Sequence, residues 1–350
     1  MTNKSQWPCR RTEVKAQALK YELGANPGEP SSVTGSFDGS DQINVTVTDG
    51  DRSIAFNATI SYPAVGEPPF PAMIGIAGIS IGESILNDMG VATIIFPSRA
   101  IALDDKASSR GSGAFYDLYP SSSSTGALMA WTWGVGRLID ALEQVPEAKI
   151  DAKRLGVTGC SRYGKGALIV GAFEDRIILT IPQESGAGGS ASWRISDVML
   201  AAGANVQTLS EITGENVWFT PTFSQFGKAA KKLPFDHHMI EGLVAPRALL
   251  VIENTSQEWL GNISTYNDSM AAHMIWEGLG IADHMGYSQV GDHSHCQWNG
   301  SQQREVTAYV QRFLIGEAND AGTPNTNVLK TDGGYTFDAA TWVDWQVPTL

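Results

Sequence analysis

The chain has 350 residues, 42% hydrophobic and 17% charged, enough to enclose a large core. Its 37 acidic against 24 basic residues give a net charge of −13, which argues against nucleic acid and anionic membranes as partners. No apolar run approaches the roughly 20 residues of a bilayer span, and the opening "MTNKSQWPCRRTEV" lacks a signal-peptide core, which fits an intracellular chain or an already trimmed one.

Residues 43–48, "INVTVT", and 54–62, "IAFNATISY", alternate apolar and polar around "DGDR", predicting a β-hairpin. Short apolar runs follow at 72–79, 91–97, 154–159, 177–182 and 248–253, each of the length and composition of a buried strand. Between them, residues 125–145 carry apolar side chains at three- and four-residue spacing, with Thr125 expected as the N-cap. "YGKGALIVGAFE" and "REVTAYVQRFLIG" read as two further helices. Strands alternating with helices predict an α/β fold: a mostly parallel central sheet covered on both faces. The tail after Gly316 is polar and turn-rich, and the aromatics of "WVDWQVPTL" are expected to tie it back onto the body. With no repeat and no linker, residues 1–350 read as one domain, expected to be monomeric.

The stretch "GVTGCSRYGKGA", residues 156–167, resembles the G-x-S-x-G turn of serine hydrolases, but its second glycine comes one residue late. Ser161 stands where a buried strand gives way to a helix, a turn that lifts a hydroxyl above the sheet and points a helix N-terminus at developing negative charge. Gly159, Gly164 and Gly166 let strand and helix approach closely. A serine needs a base, and the base a carboxylate. His295, in "GDHSHCQWNG", follows "MGYSQV", which reads as the last strand, and precedes the final helix, the position this fold gives its base; His293 is the rival. His237, His238, His273 and His284 read as structural or surface residues. The pairs His237-His238 and His293-x-His295 lack a third ligand at suitable spacing, so no metal is expected, and no cofactor either.

Cys160 adjoins Ser161 and Cys296 adjoins His295. A bond between them would pin nucleophile and base together, and closing so long a loop is worth roughly 5 kcal/mol in the chain-entropy picture. The acid is open between Glu184, after the strand that follows the nucleophile, and Glu253, after the next. Arg162 places a guanidinium where it can join backbone N–H groups around an oxyanion. Seven N-x-S/T sequons, at Asn3, Asn44, Asn57, Asn254, Asn262, Asn267 and Asn299, exceed what 14 asparagines produce by chance and point to secretion and glycosylation.

"VTGCSRYGKGA", "PQESGAGGSASWRISD", "WTWGVGRLIDALE", "NTSQEWLG" and the "SHC" of 294–296 together resemble the glucuronoyl esterases of carbohydrate esterase family 15, nearest the fungal kind, over almost the whole chain. The resemblance implies a three-layer α/β/α sandwich of the α/β-hydrolase fold and no metal or cofactor, with residues 1–350 expected to be a single catalytic domain without a carbohydrate-binding module. It implies cleavage of the ester between 4-O-methyl-glucuronic acid of glucuronoxylan and lignin alcohols. It makes Ser161 the nucleophile, His295 the base, Glu184 the acid and Arg162 an oxyanion stabiliser, supports the Cys160–Cys296 bridge, and sets Lys165, Gln207, Glu215 and Trp259 around the uronic acid. The sequence departs from the family pattern at Ser192, where relatives usually carry a cysteine, near "STYNDSM", which lacks its partner, and at "GIAGISIGES", which is poorer in glycine. Cys9 usually pairs with an upstream cysteine that this chain does not contain, which leaves it free. The rival readings are an acetyl or feruloyl esterase of xylan, and a sugar-binding protein on a hydrolase scaffold without activity.

Overall fold

The alternation of the first segments builds an antiparallel ribbon, and the continuous apolar runs build a parallel sheet beside it. The computed structural model describes residues 1–316, 326–345 and 347. Its strands are β1 (Ser32–Phe37), β2 (Gln42–Asp49), β3 (Arg52–Ser61), β4 (Phe70–Ile76), β5 (Ala92–Phe96), β6 (Ile150–Cys160), β7 (Ile177–Gln183), β8 (Ala248–Glu253), β9 (Met285–Gln289) and β10 (Leu329–Thr331). They form one sheet in the order β1-β2-β3-β5-β4-β6-β7-β8-β9-β10. β1, β2 and β3 pair antiparallel, β3 meets β5 antiparallel, and every later pairing is parallel.

The hairpin closes over Gly50-Asp51, with Asp49 opposite Arg52. In β8, Leu249 and Val251 enter the larger core on one face, while Ala248, Leu250 and Ile252 enter the smaller core on the other. A strand buried on both sides needs no polar face, so its sequence reads as an unbroken apolar run. Helices Ala127–Gln144, Arg162–Phe173 and Asn262–Leu279 contribute side chains to the larger core, while Glu83–Asp88 and Gln303–Tyr309 contribute to the smaller one. The result is the expected three-layer α/β/α sandwich.

Two readings need amendment. Thr125 is not a helix cap: helix Ala127–Gln144 starts from Gly126 with no side-chain cap, and Thr125 Oγ1 instead donates to Ala25 O at 2.9 Å. β1 and β10 carried no recognised signal; β10 adds a parallel strand beside β9. Trp342 in the tail packs against Ile195, Met199 and Val206, as expected of a returning segment, whereas residues 317–325, 346 and 348–350 lie outside the described residues. Where the family pattern has a cysteine, Ser192 caps helix Trp193–Ala201 and donates to Asp236 Oδ2 at 2.9 Å, while Ser264 Oγ donates to Ser192 O at 2.9 Å. Hydrogen bonds thus connect the same two segments.

Candidate active site

The carboxyl ends of β4, β6, β7 and β8 converge on one edge of the sheet, the usual place for ligands in parallel α/β folds. Among the described residues, non-glycine positive φ occurs at Ala77, Lys149, Ser161, Glu184, Asp292 and Cys296. All but Lys149 follow the carboxyl end of a strand. Such backbone persists where the surroundings over-determine it, which is typical of functional sites.

Ser161 has φ +60° and ψ −125° and sits at the N-cap of helix Arg162–Phe173. Its N–H donates to Gln183 O at 3.0 Å, and its carbonyl accepts from Lys165 N at 3.0 Å. The turn is this tight only because of glycine: a Cβ on Gly159 would lie 2.4 Å from Tyr163 O, and one on Gly164 would lie 2.5 Å from Gln183 O. The late second glycine of the motif is therefore the residue that lets the helix start against β7.

The Cys160–Cys296 disulfide is present, with the Cα atoms 5.7 Å apart and a sequence separation of 136. It brings the loop after β9 onto the nucleophile turn. His295 Nδ1 donates to Glu184 Oε2 at 2.8 Å, which leaves Nε2 as the acceptor. Nε2 is buried and has no hydrogen-bond partner among the described residues, Ser161 Oγ included; such bonds commonly tighten only around substrate. A ring nitrogen of His295 and both disulfide sulfurs lie within 4.8 Å of one another. Those three residues form the cluster of metal-ligating types among the described residues, but its sulfurs are committed to each other.

Geometry separates the two candidate acids. Glu184 is fully buried; Oε2 also accepts from Cys296 N at 3.1 Å and Asn254 Nδ2 at 3.3 Å. Burial raises its pKa, but the hydrogen bonds from His295 and Cys296 and the charges of the two histidines outweigh it and hold it below the ordinary carboxylate value. Glu253 faces elsewhere, accepting from Ser185 N at 2.9 Å and from the Ser190 hydroxyl. Burial pushes its pKa up to about 7; the Ser190 bond opposes the rise and the charge of Glu184 adds to it. Environment thus shifts the pKa values of the two neighbouring carboxyls in opposite directions. His293 Nε2 is tied to Val290 O at 3.0 Å, within its own loop. His237, His273 and His284 bond to Gly189 O, Ala282 O and Pro246 O respectively.

The expected sugar-contacting residues come together. Gln207 Nε2 donates to Glu215 Oε2 at 3.2 Å, and Gln207 N donates to Trp259 O at 3.0 Å. The Trp259 indole stands edge-to-face with His295, ring centres 4.8 Å apart. Lys165 is buried and donates to Ser185 O at 2.6 Å. Burial lowers its pKa to about 8, against the raising pull of Glu215 and Glu253, with Arg162 lowering it further.

Sequence reasoning missed Asp104, Trp218 and Asn254. Trp218 Nε1 donates to Asp104 Oδ2 at 2.9 Å, and Arg162 Nη1 to the same oxygen at 3.3 Å. The Arg162 guanidinium lies 5.3 Å from the centre of the Trp218 ring and the Lys165 ammonium 5.5 Å from it. Sequence separations of 58 and 114 residues carry no local signal of these contacts.

A serine on a strained strand–helix turn, an imidazole and a buried carboxylate thus lie together on the carboxyl edge of a mostly parallel sheet, the architecture of the α/β-hydrolase fold. The family described as "Glucuronyl esterase, fungi" matches residues 45–280. The chain is 49% identical over 350 residues to the 4-O-methyl-glucuronoyl methylesterase of Hypocrea jecorina, covering 100% of this chain and 73% of that protein. The glucuronoyl esterase catalytic domain of Hypocrea jecorina superposes with a TM-score of 0.94 at 48% identity, covering 100% of this chain and 93% of that one. A serine-to-alanine mutant of the glucuronoyl esterase from Sporotrichum thermophile, in complex with methyl 4-O-methyl-β-D-glucopyranuronate, superposes with a TM-score of 0.92 at 45% identity, covering 99% and 92%. The chain belongs to the glucuronoyl esterase family and is a carboxylic ester hydrolase.

Proposed function

We propose that the protein cleaves the ester between 4-O-methyl-glucuronic acid of glucuronoxylan and lignin alcohols, acting as a monomer by two-step acyl transfer at Ser161. The observation that carries this reading is the Glu184–His295 pair, bonded at 2.8 Å and stapled through Cys296 to the residue before Ser161. Ser161 Oγ attacks the uronate carbonyl carbon while its proton passes to His295 Nε2, forming a C–O bond and a tetrahedral oxyanion. Glu184 holds the imidazole in the tautomer that can accept that proton and stabilises the imidazolium. Arg162 and the unpaired N–H groups at the start of helix Arg162–Phe173 face the oxyanion. Collapse breaks the ester C–O bond, and the alcohol leaves with the proton from His295. Water, deprotonated by the same nitrogen, then releases glucuronate and restores Ser161. Lys165, Gln207 and Glu215 offer hydrogen-bonding partners to the sugar hydroxyls, and Trp259 an indole for its aliphatic face.

Parallel assays on benzyl glucuronate, acetylated xylan and methyl ferulate test this assignment. Turnover of the glucuronate alone is expected; preferential turnover of acetyl or feruloyl esters would replace the proposed substrate class.

Secretion is part of the same proposal. Asn3, Asn44, Asn57 and Asn299 are exposed, whereas Asn254, Asn262 and Asn267 are buried, so the exposed sequons are open to glycosylation on the folded protein. A disulfide beside the nucleophile also favours an oxidising compartment. Expression in a eukaryotic secretory host should yield a medium-borne protein that loses mass on N-glycosidase treatment, with glycan only at those exposed asparagines; retention in the cytosol without glycan argues against it.

A further inference from the structure

Asp104 is fully buried, yet Oδ1 has no hydrogen-bond partner among the described residues. Its nearest cation on that side is Arg99, 3.9 Å away, whose guanidinium is already engaged by both oxygens of Asp105. Burying a half-satisfied carboxylate costs stability, and a well-packed apolar residue would serve the core better. All its hydrogen bonds fall on Oδ2, which takes Trp218 Nε1 at 2.9 Å and Arg162 Nη1 at 3.3 Å. The carboxylate sits on the loop after helix Ser98–Ile101, on the β5 side of the nucleophile strand, opposite the β7 side that carries Glu184.

The contacts on Arg162 are complementary. Its side chain is 36% exposed, and Asp104 is its acidic partner among the described residues. One guanidinium N–H is taken by Asp104 and the plane is backed by Trp218, so the remaining N–H groups have no acceptor among the described residues. A long flexible side chain is worth little to an oxyanion unless its direction is set before the charge develops, because reorientation during the reaction would consume the stabilisation.

We propose that Asp104 and Trp218 are positioning residues that lock the Arg162 guanidinium toward the oxyanion, resting on the reading of Arg162 as an oxyanion donor. Asp104 fixes its charge and one N–H, and Trp218 both orients Asp104 and fills the space in which the guanidinium would otherwise swing. Because Lys165 meets the same indole, Trp218 also joins the oxyanion side of the site to its sugar side.

A double-mutant cycle tests this, using Asp104→Asn and Arg162→Ala, singly and together, with benzyl glucuronate as substrate. Asp104→Asn keeps the shape and removes the charge; it is expected to lower kcat roughly ten- to hundredfold with KM within about twofold. In the Arg162→Ala background the same change is expected to do almost nothing, whereas a merely structural Asp104 would lower activity equally in both. Should Asp104→Asn not fold, Trp218→Phe carries the cycle, since it keeps an aromatic face while removing the Nε1–H donor together with the pyrrole half of the indole; a several-fold kcat loss confined to the arginine-containing protein is expected. Additive effects overturn the positioning role alone. Full kcat in Arg162→Ala instead overturns the oxyanion reading of Arg162, and the positioning role with it.

Discussion

In the antiparallel flank, β2 alternates buried and exposed residues along its length, and its eight residues pair in unbroken register with β3. Along the carboxyl edge of the parallel strands, by contrast, Ala77, Ser161, Glu184 and Cys296 hold positive φ, and buried carboxyls at Asp104, Glu184 and Glu253 gather where an ordinary core would hold hydrocarbon. The flank obeys local rules and contributes stability. The edge breaks local rules and is held in place by its surroundings. Energy invested in burial at one end of the sheet offsets strain and desolvation at the other.

That contrast can be broken by substitution. Ser161→Ala should abolish measurable turnover, a loss of at least ~10⁴-fold, without lowering the unfolding temperature; retained activity in a steady-state assay would remove the proposed chemistry. Replacing both bridge cysteines, Cys160→Ser with Cys296→Ser, should affect both properties, lowering stability by up to roughly 5 kcal/mol and reducing kcat because His295 loses its anchor. Denaturant melts and kinetics on one sample read both effects. Ile43→Ala, in the flank, should cost about 3 kcal/mol of stability and leave kcat unchanged; a change in kcat would mean the two regions are coupled.

The smallest effect sharpens the comparison on the sugar side. Lys165 has a pKa lowered to about 8 by burial, so it is charged below that pH and loses its proton above it. KM for benzyl glucuronate should rise several-fold as pH increases between about 7 and 9. Lys165→Met should raise KM at the lower pH and remove the dependence, while a pH-independent KM in the wild type would detach Lys165 from sugar binding.

Much of this was legible in the residues. The apolar runs at 72–79 and 248–253 announce buried strands because a strand covered on both faces has no polar side, and the glycines around Ser161 announce a turn whose close approaches exclude any Cβ. The position of Cys160 beside Ser161 and of Cys296 beside His295 made their bond readable from spacing. Thr125 misled because a threonine ahead of a helical pattern is an N-cap only if its side chain turns back on the helix; here it is occupied by Ala25 O.

The sequence by itself determined the parallel sheet, the nucleophile turn and the residues able to serve as base, because periodicity, glycine sterics and adjacency are local properties of a chain. Spacing left Glu184 and Glu253 equal and the family resemblance pointed to Glu184; the tertiary structure shows Glu184 meeting the imidazole, and it alone shows that Asp104 and Trp218 stand behind Arg162. Those are questions of distance and desolvation between segments far apart in sequence, and both quantities exist only once the chain has packed.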